Sequence, residues 1–189
     1  MVEKVREIIK ESIATKERLL DISESIARAV EMAAETLKGG HKILLCGNGG
    51  SAADSQHIAA EFVVRFTRPR RALPAIALTV DTSVLTAASN DFGYDEVFSR
   101  QVEALGEEGD LLIAISTSGR SPNVNRAVRK AKERGLRVIY LCGERGNDVE
   151  ESVDLTIRVP SGVTARIQEA HITIGHIIVE LTEEKLLSG

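Results

Sequence analysis

Between residues 3 and 38 apolar side chains recur every three or four positions, at Val5, Ile8, Ile9, Ile13, Leu19, Leu20, Ile26, Val30 and Leu37, and the pattern stops at Gly39-Gly40. That spacing predicts one long helix or two successive helices ahead of the first strand. The segment carries more apolar surface than a small sheet covers, so it is expected to pack against another subunit. Beyond it the pattern changes to short continuous apolar runs at 42–46 (KILLC), 75–79 (AIALT), 110–116 (DLLIAIS), 137–142 (RVIYLC) and 155–159 (LTIRV), with helical stretches between most of them. Strands that are apolar on both faces and separated by helices predict a mostly parallel five-stranded sheet in a three-layer, doubly wound α/β fold. A last helix is expected over Thr164–Leu187. No repeat, low-complexity tract or linker interrupts the chain, so residues 1–189 read as one domain: a helical segment (1–40), then the sheet and C-terminal helix (41–189).

Composition narrows the function classes. With 43% hydrophobic and 28% charged residues the chain is that of a globular protein with a real core. A net charge of -4 gives no broad basic field, which argues against nucleic acid or anionic membrane as partner. The one basic run, Arg65 to Arg71 (RFTRPRR), is broken by Pro69 and reads as a solvated loop after a helix. The charged N-terminus has no uninterrupted apolar stretch and reads as neither signal peptide nor membrane span. Cys46 and Cys142 stand apart inside apolar runs, where a small buried hydrophobe is the expected role, and a reducing cytoplasm fits them.

Two strand ends run into Gly- and Ser-rich turns, CGNGGSAADS (46–55) and STSGRSPN (116–123). Glycines let backbone N–H groups approach an anion, hydroxyls add donors, and a following helix N-terminus supplies a favourable dipole. Each turn is also readable as a plain strand-to-helix connection with a capping residue, but two at strand carboxyl ends of one sheet favour phosphate cradles. Neither matches GxxxxGK[ST] or GxGxxG, and no lysine is placed for polyphosphate, which points to a single phosphate monoester. His57 and Glu61 are four residues apart and share a helix face, as a metal site, an acid/base unit or a surface contact. Gln168 and His176 in the last helix differ by a rise of ~12 Å, so they do not touch; their side chains reach toward one centre, or copies from different subunits converge. His171 and His41 read as structural and loop residues.

The blocks CGNGGSAADSQHIAAEF, ASNDFGYDEVFSRQVEALGEEGDLLIAISTSGRSPN and RIQEAHITIGHI resemble the sedoheptulose-7-phosphate (phosphoheptose) isomerase family, over essentially the whole chain. That family belongs to the flavodoxin-like sugar isomerase (SIS) fold. The resemblance implies a cytoplasmic aldose-ketose isomerase that makes a heptose 7-phosphate for surface glycans, assembled as a homotetramer with sites at subunit junctions. It implies Glu61 and His176 as the acid/base pair, and zinc, one per subunit, on His57, Glu61, Gln168 and His176. Substrate contacts are implied at Asn48, Gly49, Gly50, Ser51, Arg65, Asn90, Asp91, Ser116, Thr117, Ser118, Ser121 and Gln168. Ala165 stands where some members carry Asp, which touches one hydroxyl contact and not the reaction. A rival resemblance, to the non-catalytic SIS adaptor that associates with the DnaA initiator, is disfavoured because that adaptor lacks the Glu and His found here at 61 and 176. A sugar-phosphate-sensing regulator is disfavoured because the N-terminal helices lack a basic face and helix-turn-helix spacing.

Overall fold

The apolar repeat at the N-terminus folds as α1 (Val2–Glu17) and α2 (Ser23–Lys38), joined through a 3₁₀ turn at Arg18–Ile22. A computed structural model describes residues 1–188. Helix α2 buries Ile26, Ala29, Val30, Ala33 and Leu37 against the sheet layer, whereas Val2, Val5, Ile8, Ile9 and Ile13 of α1 stay exposed. The expected excess of apolar surface is therefore real and lies almost wholly on α1.

The rest alternates: β1 (Ile43–Gly47), α3 (Gly50–Val63), β2 (Ala75–Ala77), α4 (Thr82–Phe92), α5 (Ser99–Leu105), β3 (Leu111–Ile115), α6 (Pro122–Glu133), β4 (Arg137–Cys142), β5 (Leu155–Arg158) and α7 (Thr164–Leu187). The strands form one parallel sheet in the order β2-β1-β3-β4-β5. Strand ends differ from the apolar runs by a residue or so, and most at β2, an edge strand with a neighbour on one side only. Because strand side chains alternate, Ile43, Leu45, Ile113 and Ile139 pack beneath α2, α3 and α7, while Leu44, Cys46, Leu112 and Tyr140 pack beneath α5 and α6. Both faces are dry, which is why the strands read as unbroken apolar runs. Cys46 and Cys142 are buried, and burial pushes both thiols up to about 12, so they behave as inert hydrophobes.

Two features fix the part of the fold that carries chemistry. Chain order reverses between β1 and β3, so their carboxyl ends border a crevice of the kind that receives ligands in such sheets. Helices α3 and α7 also lie in near contact: a Cβ added at Gly175 would come within 2.5 Å of Ile58 Cδ1. No helix among the described residues is long and apolar enough to cross a membrane.

The basic run is the exposed loop expected of it except at one of its arginines. Arg70 has 2% of its side chain exposed and pairs at 2.7 Å with Glu183, which is fully buried. The pattern of charges along 65–71 hides this because the buried partner lies more than a hundred residues away.

His171 is buried in α7 with Nε2 3.3 Å from the Cys142 carbonyl, and its Nδ1 has no partner among the described residues. Burial lowers its pKa from 6.5 to about 4, against the opposing carbonyl contact. With the folded value below the unfolded one, stability is complete above pH 6.5 and declines as the pH falls toward 4, because the unfolded chain takes up the proton first. Replacing His171 by Gln is expected to flatten that decline by up to about 1.4 kcal/mol per pH unit, as read from urea unfolding across the range.

Candidate active site

The first turn leaves β1 at Gly47 and enters α3, with Gly49 as its N-cap residue and Ser51 buried in its first turn. Ser51 N–H donates to the Asn48 carbonyl at 2.9 Å, and the N–H groups of Ala52 and Ala53 both donate to that of Gly49 at 3.1 Å. The second turn leaves β3 and enters α6, which begins with Ser121 as N-cap and Pro122 at its first position. Ser116 is buried, and its Oγ lies 2.9 Å from Ser121 Oγ and 3.5 Å from Ser118 Oγ. Thr117 is half-buried and Ser118 exposed, so the hydroxyl cluster opens outward from a buried base.

Paired amides bind the two turns to each other. Asn48 Nδ2 donates to Asn123 Oδ1 and Asn123 Nδ2 donates to Asn48 Oδ1, both at 2.8 Å, while Tyr94 Oη donates to Asn48 Oδ1 at 3.2 Å. Asn123 and Tyr94 were not singled out from the sequence. The reciprocal pair depends on the side-by-side placement of β1 and β3, which spacing does not reveal. Asn90 and Asp91, at the end of α4, are exposed and hydrogen-bonded to each other at 2.7 Å, one turn before Tyr94.

Two turns along α3 the titratable groups meet. His57 Nε2 lies 3.3 Å from Glu61 Oε1 and 3.1 Å from His176 Nε2 of α7. Glu61, His57 and His176 are thus joined within one protomer, with His57 in the middle. The Phe66 ring stacks on His176 with centroids 5.2 Å apart and planes at 21°. At 3.1 Å one Nε2 carries a hydrogen and donates it to the bare Nε2 of the other ring. Asp54 shares the α3 face of His57 and Glu61, a position that the helical repeat could have flagged. Its Oδ2 is buried without a partner among the described residues, and burial raises its pKa to about 6, partly offset by His57.

The remaining sequence candidates fall elsewhere. The Gln168 amide lies against Gly50, where an added Cβ would come within 2.5 Å of Nε2, roughly 10 Å along α3 from His57. In the single chain it belongs to the cradle end, apart from the histidines. Helix α3 ends at Val63, so Arg65 is exposed past its terminus and not on the helical face continued from Glu61. A cleft of ≈270 Å³ opens at the serine turn, lined by Thr117, Ser118, Arg120, Glu144, Arg145 and Ile167 among others. It includes none of Glu61, His57 and His176.

Two imidazoles and a carboxylate form a donor set suited to zinc, and separations of 3.1 and 3.3 Å match the ~3.3 Å edge of a tetrahedral site with bonds near 2.05 Å. The three donors are linked through His57 and are not gathered about one point. Among the described residues no three His, Cys, Asp or Glu side chains are grouped to hold an ion.

A family model described as SIS domain matches residues 2–143. A phosphoheptose isomerase of Clostridium acetobutylicum is 54% identical over 181 residues, covering 94% of this chain and 92% of that one. A phosphoheptose isomerase of Geobacter sulfurreducens is 55% identical, with 88% of each chain covered. Among solved structures, a phosphoheptose isomerase from Francisella tularensis superposes with a TM-score of 0.93 at 36% identity, covering 97% of this chain and 98% of that one. One from Neisseria gonorrhoeae superposes with a TM-score of 0.90 at 45% identity, over 96% and 98%.

Gly119, in the serine turn, has φ 68°, and a Cβ there would lie 1.9 Å from the Gly146 carbonyl oxygen. Gly119→Ala is expected to destabilise the fold by at least about 2 kcal/mol and to weaken inorganic phosphate binding, as measured by thermal unfolding and calorimetry.

Proposed function

Since the chain belongs to the SIS domain family and, within it, to the phosphoheptose isomerases, we propose that it interconverts sedoheptulose 7-phosphate and D-glycero-D-manno-heptose 7-phosphate through a cis-enediol. The observation that carries this reading is the contact chain Glu61–His57–His176, one helix run away from a double hydroxyl cradle. Ser51 and His57 are about 9 Å apart along α3, close to the reach of a seven-carbon sugar.

In this reading Ser51, Ser116, Thr117, Ser118 and Ser121 hold the phosphate, with the N-termini of α3 and α6 behind it. Glu61 removes the proton from the carbon next to the carbonyl and returns it to the neighbouring carbon. His176 moves protons at the two adjacent oxygens, and its contact with His57 offers a path for them. The stacked Phe66 covers one face of the His176 ring and keeps water from it. Zinc, one per subunit, would be held by His57, Glu61 and His176, with Gln168 drawn in from the cradle end. Bound there, it would polarise the carbonyl and stabilise enediolate charge. An ion taking both Glu61 and His176 would leave neither free as a base, so a loosely held ion suits this scheme best.

The exposed apolar row of α1 supports assembly as a homotetramer, in which α1 covers its own counterpart or a neighbour's sheet domain. In this reading the enzyme works in the cytoplasm, at an early step toward activated heptose for surface glycans.

Glu61→Gln is expected to lower turnover by at least about 10³-fold while leaving sugar-phosphate affinity within a few-fold, checked by steady-state kinetics and calorimetry. An active variant would remove Glu61 from its role. A paired Ile9→Asp, Ile13→Asp variant should sediment as a smaller species, and an unchanged sedimentation coefficient would remove α1 from the subunit contact.

A further inference from the structure

Helix α3 ends without the glycine that usually closes a helix: its C-cap, Val64, has φ -87° and ψ -77°, and its N–H reaches only the Ala60 carbonyl. The carbonyls of the last turn need other donors. Leu73 N–H adds one to the Phe62 carbonyl at 3.1 Å, and Arg70 supplies two from the following loop. Its Nη2 donates to the Glu61 carbonyl at 2.7 Å and its Nη1 to that of Phe62 at 2.7 Å, while Nε donates to Glu183 Oε1 at 2.7 Å. Glu183, on α7 two turns beyond His176, is saturated in turn. Its carboxylate also accepts from Phe66 N–H at 2.8 Å, Thr67 N–H at 3.0 Å and Thr67 Oγ1 at 3.2 Å.

This buried pair touches both halves of the acid/base unit without entering the site. Through Arg70 it closes the helical turn that bears Glu61; through Glu183 it fixes the backbone of Phe66, whose ring stacks on His176. Surface residues or an apolar pair would join α3 to α7 equally well as far as stability goes, since desolvating two charges offsets most of their attraction. What an apolar pair would not supply is a forked set of directed bonds to the helix-end carbonyls and the loop N–H groups.

We infer that Arg70 and Glu183 are positioning residues for the isomerisation, setting the Glu61 carboxylate and the His176 ring in register across the α3–α7 contact. This rests on the reading of Glu61 and His176 as the proton-transfer pair. A displacement near 1 Å at such a pair costs up to about 10²-fold in rate.

The test compares Arg70→Lys, Glu183→Gln and Phe66→Leu with the wild-type protein, alongside Glu61→Gln. Arg70→Lys keeps the charge but not the fork, so it is expected not to rescue. Both ion-pair variants should lose roughly tenfold or more in kcat with KM within about threefold, and the pH profile of kcat should move. Phe66→Leu leaves the ion pair intact and should move the same profile through His176 alone. If the ion-pair variants melt earlier yet keep wild-type kcat and pH profile, the pair only stabilises the fold and the inference is overturned. Should Glu183→Gln fail to fold, an unchanged kcat and pH profile in Phe66→Leu overturns it as well. Retained turnover in Glu61→Gln would instead unseat the acid/base reading on which the inference rests.

Discussion

Everything chemical in this protein depends on how closely α3 can lie beside α7. The groups that would move protons are divided between the two helices, with His57 and Glu61 on one and His176 on the other, and the 3.1 Å contact of His57 with His176 that crosses between them leaves no slack. Gly175 permits the approach, since any side chain there would meet Ile58. Buried Ile58, Ile174 and Ile178 hold the helices together once they are close. The sheet beneath them is a platform: its chain reversal between β1 and β3 sets the two hydroxyl-bearing turns beside each other at the start of α3, and the helix then carries His57 and Glu61 a fixed distance away.

The fold was legible because its rules are local or periodic. Unbroken apolar strands announced a sheet covered on both faces, and the helix from Thr164 to Leu187 was bounded correctly from its sequence. Edges were less so. The AIALT run overshot β2 because an edge strand is held from one side, and the break at Arg18–Ile22 within the N-terminal repeat is a 3₁₀ turn that apolar spacing does not mark.

The site was legible where residues share one helix or one turn. His57 and Glu61 follow from a four-residue spacing, and the serine cluster from its crowding. Their grouping with His176 was implied only by the family resemblance; the structure puts His176 beside His57 inside one chain. What remained hidden was reciprocal and long-range: the Asn48–Asn123 amide pair, Tyr94, and the Arg70–Glu183 pair inside a run that looked like solvated loop. Single-residue patterns cannot disclose such pairs, because each partner alone is an ordinary polar residue. In the single chain Gln168 lies against Gly50 at the start of α3, and Arg65 lies exposed beyond its end.

Proton transfer between adjacent carbons by this carboxylate–imidazole group is the central claim, and its most direct test is turnover of sedoheptulose 7-phosphate in heavy water, followed by NMR. The account predicts solvent deuterium on carbon 2 of the aldose and on carbon 1 of the recovered ketose, as expected when a base exchanges with water during the lifetime of an enediol. Full retention of protium in both compounds after many forward and reverse turnovers would show transfer without a solvent-exchanging base and contradict it.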